Sequence, residues 1–237
     1  MKRNGFTLVE LLVVIAIITL LLAILLPSYA TIIERVDCTL CQNNHHQIMM
    51  ASVAYSAEHK AYLPFCNWLA PEKNGDWPGG GWLYYFSELI DYNGSRFLPA
   101  DRKKGVLWNY IENDDVYRCP ADAPPYKTKS TQVMTSYHMN GAVVAYYSGQ
   151  VMRLFRTTDM ISFAGSDAIL FWEADDRLWN DGSSYPNEGL TRRHRDGATV
   201  GCVGGHTDWI THEEYKEEYE HWPSRLWCNP GSPSGRY

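Results

Sequence analysis

The sequence is poor in the features that announce chemistry. Beyond Lys2-Arg3 it has no block of basic residues, and its 21 Lys and Arg face 27 Asp and Glu for a net charge of −6. Such a chain has no stripe with which to neutralise phosphates, so nucleic acid is excluded as a partner. It also lacks a glycine-rich phosphate loop and a serine nucleophile elbow. His194-Arg195-Asp196 has the letters of a kinase catalytic loop, but no glycine-rich loop precedes it. His194-x-Asp196 and His206-x-Asp208 could begin a metallohydrolase site, yet no further ligand cluster accompanies them in sequence. No enzymatic activity is expected. Strong helix breakers are also scarce early on: after Pro27 none occurs until Pro64.

What is present begins at the amino terminus. Met1-Lys2-Arg3-Asn4-Gly5-Phe6-Thr7-Leu8-Val9-Glu10 leads into an apolar run from Leu11 to Leu26, stopped by Pro27. Phe6 to Leu26 is 21 residues. At ~1.5 Å of helix rise per residue this makes about 31 Å, the thickness of a hydrocarbon core. Lys2 and Arg3 hold the amino end in the cytoplasm by the positive-inside bias. A carboxylate in such a segment costs up to ~2.5–3.5 kcal/mol at mid-membrane. A pure anchor has no use for Glu10, which marks it as functional.

Gly5-Phe6-Thr7-Leu8-Val9-Glu10, the apolar run and Pro27 together resemble the prepilin-type signal of the type IV pilin and type II secretion pseudopilin superfamily. The resemblance implies cleavage by prepilin peptidase between Gly5 and Phe6, and N-methylation of Phe6. It implies storage in the bacterial inner membrane as a single-pass protein, with the globular part periplasmic or in a surface filament. Partners would then be prepilin peptidase and other pilin or pseudopilin subunits. In a filament of packed helices Glu10 can meet the amino terminus of a neighbouring Phe6, which in low dielectric offsets its burial and sets register. The alternative is an ordinary secretory signal peptide, for which Ser28-Tyr29-Ala30 supplies a small-x-small cleavage site. The mature chain begins at Phe6 in the first case and at Thr31 in the second.

Beyond Pro27, Tyr29, Ile33, Val36, Leu40, Ile48, Ala51 and Tyr55 form a stripe at helical period. This predicts one helix from about Thr7 to His59, with a kink at Pro27. Cys38, Cys41 and His45 share one face of it and could ligate zinc, but no fourth ligand is evident. Residues 64–118, rich in Pro, Gly, Trp and Asn, read as a long loop with short helices near Trp82–Asp91 and Gly105–Ile111. Nine Trp and 16 Tyr have two readings. They fill a core with few, large side chains, or they form platforms, Trp77 and Trp82 among them, for a polysaccharide.

Ala168 to Glu173 reads as a central strand, and Asp175, Asp176 and Asp181 follow it in a polar loop. The three carboxylates offer oxygens for calcium, although their spacing fits no known loop. Thr199–Val203 and Thr207–Ile210 read as a hairpin turning at Gly204-Gly205, with positive φ there. His212 to Trp227 reads as a short helix, and residues 230–237 as a flexible tail.

A second resemblance is to a pilin-like group whose members end in an H-x9-DG motif. Its bearers here are Cys41-Gln42-Asn43-Asn44-His45, Cys119-Pro120-Ala121-Asp122, Ser136-Tyr137-His138-Met139-Asn140 and the segment from Arg193-His194 to Gly205-His206. His45 stands where the group has Leu, and Gly204 where it has Asp. The resemblance implies a disulfide from Cys119 to Cys41 or Cys66. Cys202 and Cys228 form a second candidate pair, since cysteines of an exported domain favour bridges.

The expected fold is α+β and pilin-like: a long amino-terminal helix packed on an antiparallel sheet of three to five strands, with a loop-rich insertion. The expected divisions are a leader at 1–5, a transmembrane and polymerisation helix at 6–27, a globular domain at 28–229 containing the second half of the helix (28–59), and the tail. The expected function is structural, as a filament subunit. The rival is a surface-exposed minor pilin that binds polysaccharide.

Overall fold

A computed structural model describes residues 6–67, 80–85, 99–124, 134–144, 154–175, 177 and 181–236. It divides into two compact units, residues 1–36 and 37–237. Helix α1 is Leu8–Glu58, with Pro27 inside it. The expected span was therefore right to within a residue at either end. The side-chain period is the reason, because nothing between Pro27 and Pro64 opposes helix.

In the first unit every side chain from Phe6 to Ala30 is exposed, which leaves a continuous apolar rod without a partner. Its few hydroxyls are satisfied within the helix: Thr19 donates to the carbonyls of Ile15 and Ala16, and Ser28 to that of Ile24.

The second unit is built on a five-stranded sheet. The strands are β1 (His138–Asn140), β2 (Ile169–Trp172), β3 (Ser183–Ser184), β4 (Gly197–Cys202) and β5 (Thr207–Thr211). Their order is β3-β1-β2-β4-β5. The sheet is mixed rather than purely antiparallel. The pairs β1–β2, β2–β4 and β4–β5 are antiparallel, while β3 joins β1 in parallel. Sequence signals mark local hairpins, and β3, two residues arriving from a distant loop, carries none.

The hairpin falls where it was expected, with Gly201 opposite Thr207. Only Gly205 of the two turn glycines takes a positive φ, at 90°. Every residue of β4 is buried, because both sheet faces are covered. One face, bearing Thr199 and Gly201, meets the carboxyl half of α1. A Cβ on Gly201 would lie 2.9 Å from Cγ of Met49. The other face carries Ala198, Val200, Cys202 and Trp172 into a cluster with Tyr215 and Leu226. Tyr215 comes from α4 (His212–Glu220), which is opened by a capping box between Thr211 and Glu214.

Of the predicted stripe, Ile48, Ala51 and Tyr55 are buried, together with Met49, Cys41 and His45; Tyr29, Ile33, Val36 and Leu40 are exposed. Two short helices complete the unit, α2 (Trp108–Ile111) within the helix expected near 105–111, and α3 (Thr157–Ala164). Residues 82–85 are not helical, and the rest of the helix expected at 82–91 lies outside the described residues.

Residues 230–236 are not a free tail. The Asn229 amide donates to Gly235 O, and the Arg236 guanidinium lies 4.1 Å and 4.8 Å from the ring centres of Trp222 and Trp227. Composition suggested a loose end, but stacking on two indoles supplies a local attachment that composition does not reveal.

Candidate functional site

At the amino end the chain builds a helix start. Thr7 precedes α1, and its backbone N–H and hydroxyl both donate to Oε2 of Glu10, at 2.8 and 2.7 Å. The Glu10 amide donates back to the Thr7 hydroxyl at 3.2 Å. This is a capping box, Thr at N-cap and Glu three residues on, and it satisfies donors that a helix otherwise leaves orphaned. The Thr-x-x-Glu spacing was legible in the sequence and was missed there. It gives Glu10 a role inside its own chain and occupies one carboxylate oxygen. Phe6 is 75% exposed beside it. Gly5, the other expected processing residue, lies outside the described residues, as do Lys2 and Arg3.

A second constellation lies in the globular unit. Cys41 on α1, Cys119 after the turn Asp114–Tyr117, Glu173 just past β2 and His194 before β4 bring one donor atom each within 4.8 Å of one another. All four are buried. The strand alternation explains Glu173: Trp172 points to the α4 face, so the next residue points to the α1 face, beneath Cys41. Thr199, on that same face of β4, donates its amide and its hydroxyl to Glu173 Oε2 at 3.0 and 2.9 Å. His194 is hooked inward by a bridge to Gly197, and its carbonyl accepts from Trp209 Nε1. Cys119 is fixed by its amide, which donates to the Ser136 hydroxyl, itself a donor to Asp122. Asn44 ties α1 to the same place through Arg118 O and the Tyr137 hydroxyl.

Cys119 Sγ lies 3.3 Å from His194 Nε2, His194 Nε2 3.4 Å from Glu173 Oε2, and Cys41 Sγ 3.5 Å from Glu173 Oε1; the Tyr137 hydroxyl lies 3.1 Å from Cys41 Sγ. Burial alone would raise the Glu173 pKa. The hydrogen bond and charge of His194, with Arg193 and His45, reverse this and hold the carboxylate well below its usual range. Burial likewise disfavours charge on His194, but its bonds to Cys119 and Glu173 push it up to about 10. The Cys119 thiol is lowered, first by Cys41 and then against its burial by His194, while burial drives the Cys41 thiol far upward. His45, fully buried, is depressed to about 4 by desolvation. Neither of its ring nitrogens has a hydrogen-bond partner among the described residues.

The other expected site residues are scattered. Neither expected disulfide is formed: Cys41, Cys119, Cys202 and Cys228 all carry thiols. Cys41 and Cys119 are neighbours, whereas Cys202 meets Arg225 at 3.8 Å and Cys228 meets Asn140 at 3.5 Å, in different core clusters. Asp175 is engaged by Arg177, Asp181 accepts from the Ser183 amide, and Asp176 lies outside the described residues. Asp196 pairs with Arg192, His206 with Asp167 and Asp208 with Arg225, so the two His-x-Asp elements do not converge. Trp82 is wholly buried, donates Nε1 to Gly182 O and packs edge-on against Phe171. It cannot serve as a sugar platform, because the core closes over it; Trp77 lies outside the described residues.

The exposed helix opening at Thr7 and Glu10 is the arrangement on which the comparisons bear. Residues 1–26 carry the prokaryotic N-terminal methylation motif. The motif-bearing chain is also similar over 114 residues to two fimbrial proteins of Neisseria meningitidis. It is 27% identical to that of serogroup B and 29% to that of serogroup A. Each match covers 48% of this chain and 58% of the relative, so the chain spans little more than half the length of the curated relatives it matches. No solved structure matches it. The α+β architecture, a long amino-terminal helix and a sheet, is consistent with a pilin-like fold.

Proposed function

We propose that this protein is a structural subunit of a type IV pilus-like or type II secretion filament. It is held in the bacterial inner membrane with its amino terminus in the cytoplasm until assembly. Prepilin peptidase cuts between Gly5 and Phe6 and methylates Phe6. The globular unit then lies in the periplasm or along the filament.

One observation carries this reading. The helix displays an unbroken apolar surface from Phe6 to Leu26, with a single carboxylate near its start. Alone in water such a surface is untenable. In a bilayer it is stable, and among copies of itself it forms a core of packed helices. Both capping bonds fall on Oε2 of Glu10, so Oε1 is left to receive the methylated amine of a neighbouring Phe6. Capping and assembly are therefore compatible in one side chain.

The test is the mature polypeptide. Mass spectrometry of the envelope fraction should find a chain that begins with N-methylated Phe6. Replacing Glu10 with Leu should preserve membrane insertion and abolish filament incorporation. A mature chain starting at Thr31, or filaments that accept the Leu variant normally, would sink the proposal.

A further inference from the structure

We propose that Cys41, Cys119, Glu173 and His194 are the four ligands of a structural zinc site, which pins the carboxyl half of α1 to the sheet.

The donor set is the first argument. Two thiols, an imidazole and a carboxylate suit zinc, a borderline-soft ion bound tetrahedrally by sulfur, nitrogen and oxygen. The spacing is the second. Zinc bonds of about 2.3 Å to sulfur and 2.0–2.2 Å to nitrogen or oxygen make tetrahedron edges of roughly 3.3–3.8 Å. Cys119 Sγ lies 3.3 Å from His194 Nε2, which lies 3.4 Å from Glu173 Oε2; Cys41 Sγ lies 3.5 Å from the other carboxylate oxygen, Oε1, and one donor atom from each of the four falls within 4.8 Å of the rest.

Charge is the third argument. Four groups capable of bearing charge are buried here, and burying charge is costly unless it is compensated. Two thiolates, one carboxylate and a dication sum to −1, and the guanidinium of Arg193 lies 3.7 Å from Glu173 Oε1 to meet that remainder. Arg193 is shared with Asp122 at 3.4 Å, a second and nine-tenths buried carboxylate. Thr199 supplies the outer contact that orients Glu173, as metal-bound carboxylates require. All four ligands come from the protein and all are buried, so no open coordination position faces water. The site is closed, which is the structural type rather than the catalytic type.

A disulfide between Cys41 and Cys119 is the competing use of the same sulfurs. It would consume the two thiols and leave Glu173 and His194 paired with each other, with Thr199 and Arg193 about the carboxylate. His45, fully buried with both nitrogens unpartnered among the described residues and one helical turn from Cys41, adds a further donor beside the site that a disulfide leaves idle. The inference stands apart from the filament reading, since it concerns only the globular unit.

The experiment uses the full chain in detergent, reduced, stripped with a chelator and dialysed. Zinc should rebind at one equivalent per chain by elemental analysis. Cobalt(II) in its place should give intense visible bands of tetrahedral geometry and a near-ultraviolet thiolate-to-metal band. Competition with a chromophoric chelator should show Cys41→Ser, Cys119→Ser and His194→Gln each weakening zinc by roughly 100-fold or more. Cys202→Ser, whose thiol lies elsewhere, should leave the affinity unchanged. Because the cobalt spectrum is read on the unaltered protein, the test does not depend on the variants folding. Absence of a stoichiometric metal and of the thiolate band would overturn the proposal. So would protein trapped with an alkylating agent directly from the cell envelope and found to carry a Cys41–Cys119 disulfide.

Discussion

His45 offers a measurement that isolates one buried group. The group resembled by this sequence has Leu at that place; here an imidazole is fully buried on α1, 4.4 Å from the Tyr137 ring centre. Desolvation lowers its pKa from 6.5 to about 4, against the attraction of Glu173 and with the repulsion of His194. The sign follows from proton counting. Between pH 6.5 and pH 4 the unfolded chain binds a proton at His45 that the folded chain refuses, so stability falls as pH drops through that window. The shift is worth about 3 kcal/mol when complete, and about 2 kcal/mol between pH 7 and pH 5. The perturbation is His45→Leu, which removes the titrating group and keeps an apolar side chain of helical preference. The assay is urea unfolding of the full chain in non-ionic detergent, with chelator and reductant present, at pH 7, 6 and 5. The wild type should lose about 2 kcal/mol more than the variant from pH 7 to pH 5. Parallel losses in the two proteins would refute the reasoning, because the acid sensitivity would then come from elsewhere.

Other expectations follow from the same geometry. Thr7→Val removes the helix cap but keeps the carboxylate, so it should cost about 1 kcal/mol of local helix stability, read by hydrogen exchange near Leu11, while filament incorporation survives. Trp82→Ala should cost about 3–5 kcal/mol in denaturant titrations and change no polysaccharide binding, since the indole is sealed in the core. Thr211→Ala deletes the α4 cap and should lower stability by about 1 kcal/mol. Gly235 has φ of 70°, and a Cβ there would collide with Trp227 O; Gly235→Ala should therefore release residues 229–236, seen as faster limited proteolysis of the carboxyl terminus.

Glu10 shows how far a short motif reaches. Its spacing from Gly5 and its apolar setting pointed to assembly, yet the same carboxylate also closes a capping box that the letters Thr-x-x-Glu had announced. Tyr29, Ile33, Val36 and Leu40 had the period of a buried stripe and are exposed. Periodicity reports which residues share a face, not whether anything covers it.

What the sequence determined by itself was local: a helix of fifty-one residues from an unopposed period, a hairpin from two glycines between alternating runs, and a membrane-length rod from composition. What only the tertiary structure decided was convergence. Cys41, Cys119, Glu173 and His194 stand far apart along the chain, and the zinc reading of Cys38, Cys41 and His45 stalled for want of a fourth ligand. Glu173 passed as the end of an apolar strand, Cys119 as a disulfide partner and His194 as part of a His-x-Asp pair. Side-chain periods are set by neighbours a few residues away, whereas a coordination shell is set by strand order and by the face each strand turns toward α1. The chain's folding alone brings those four atoms within one ion's reach.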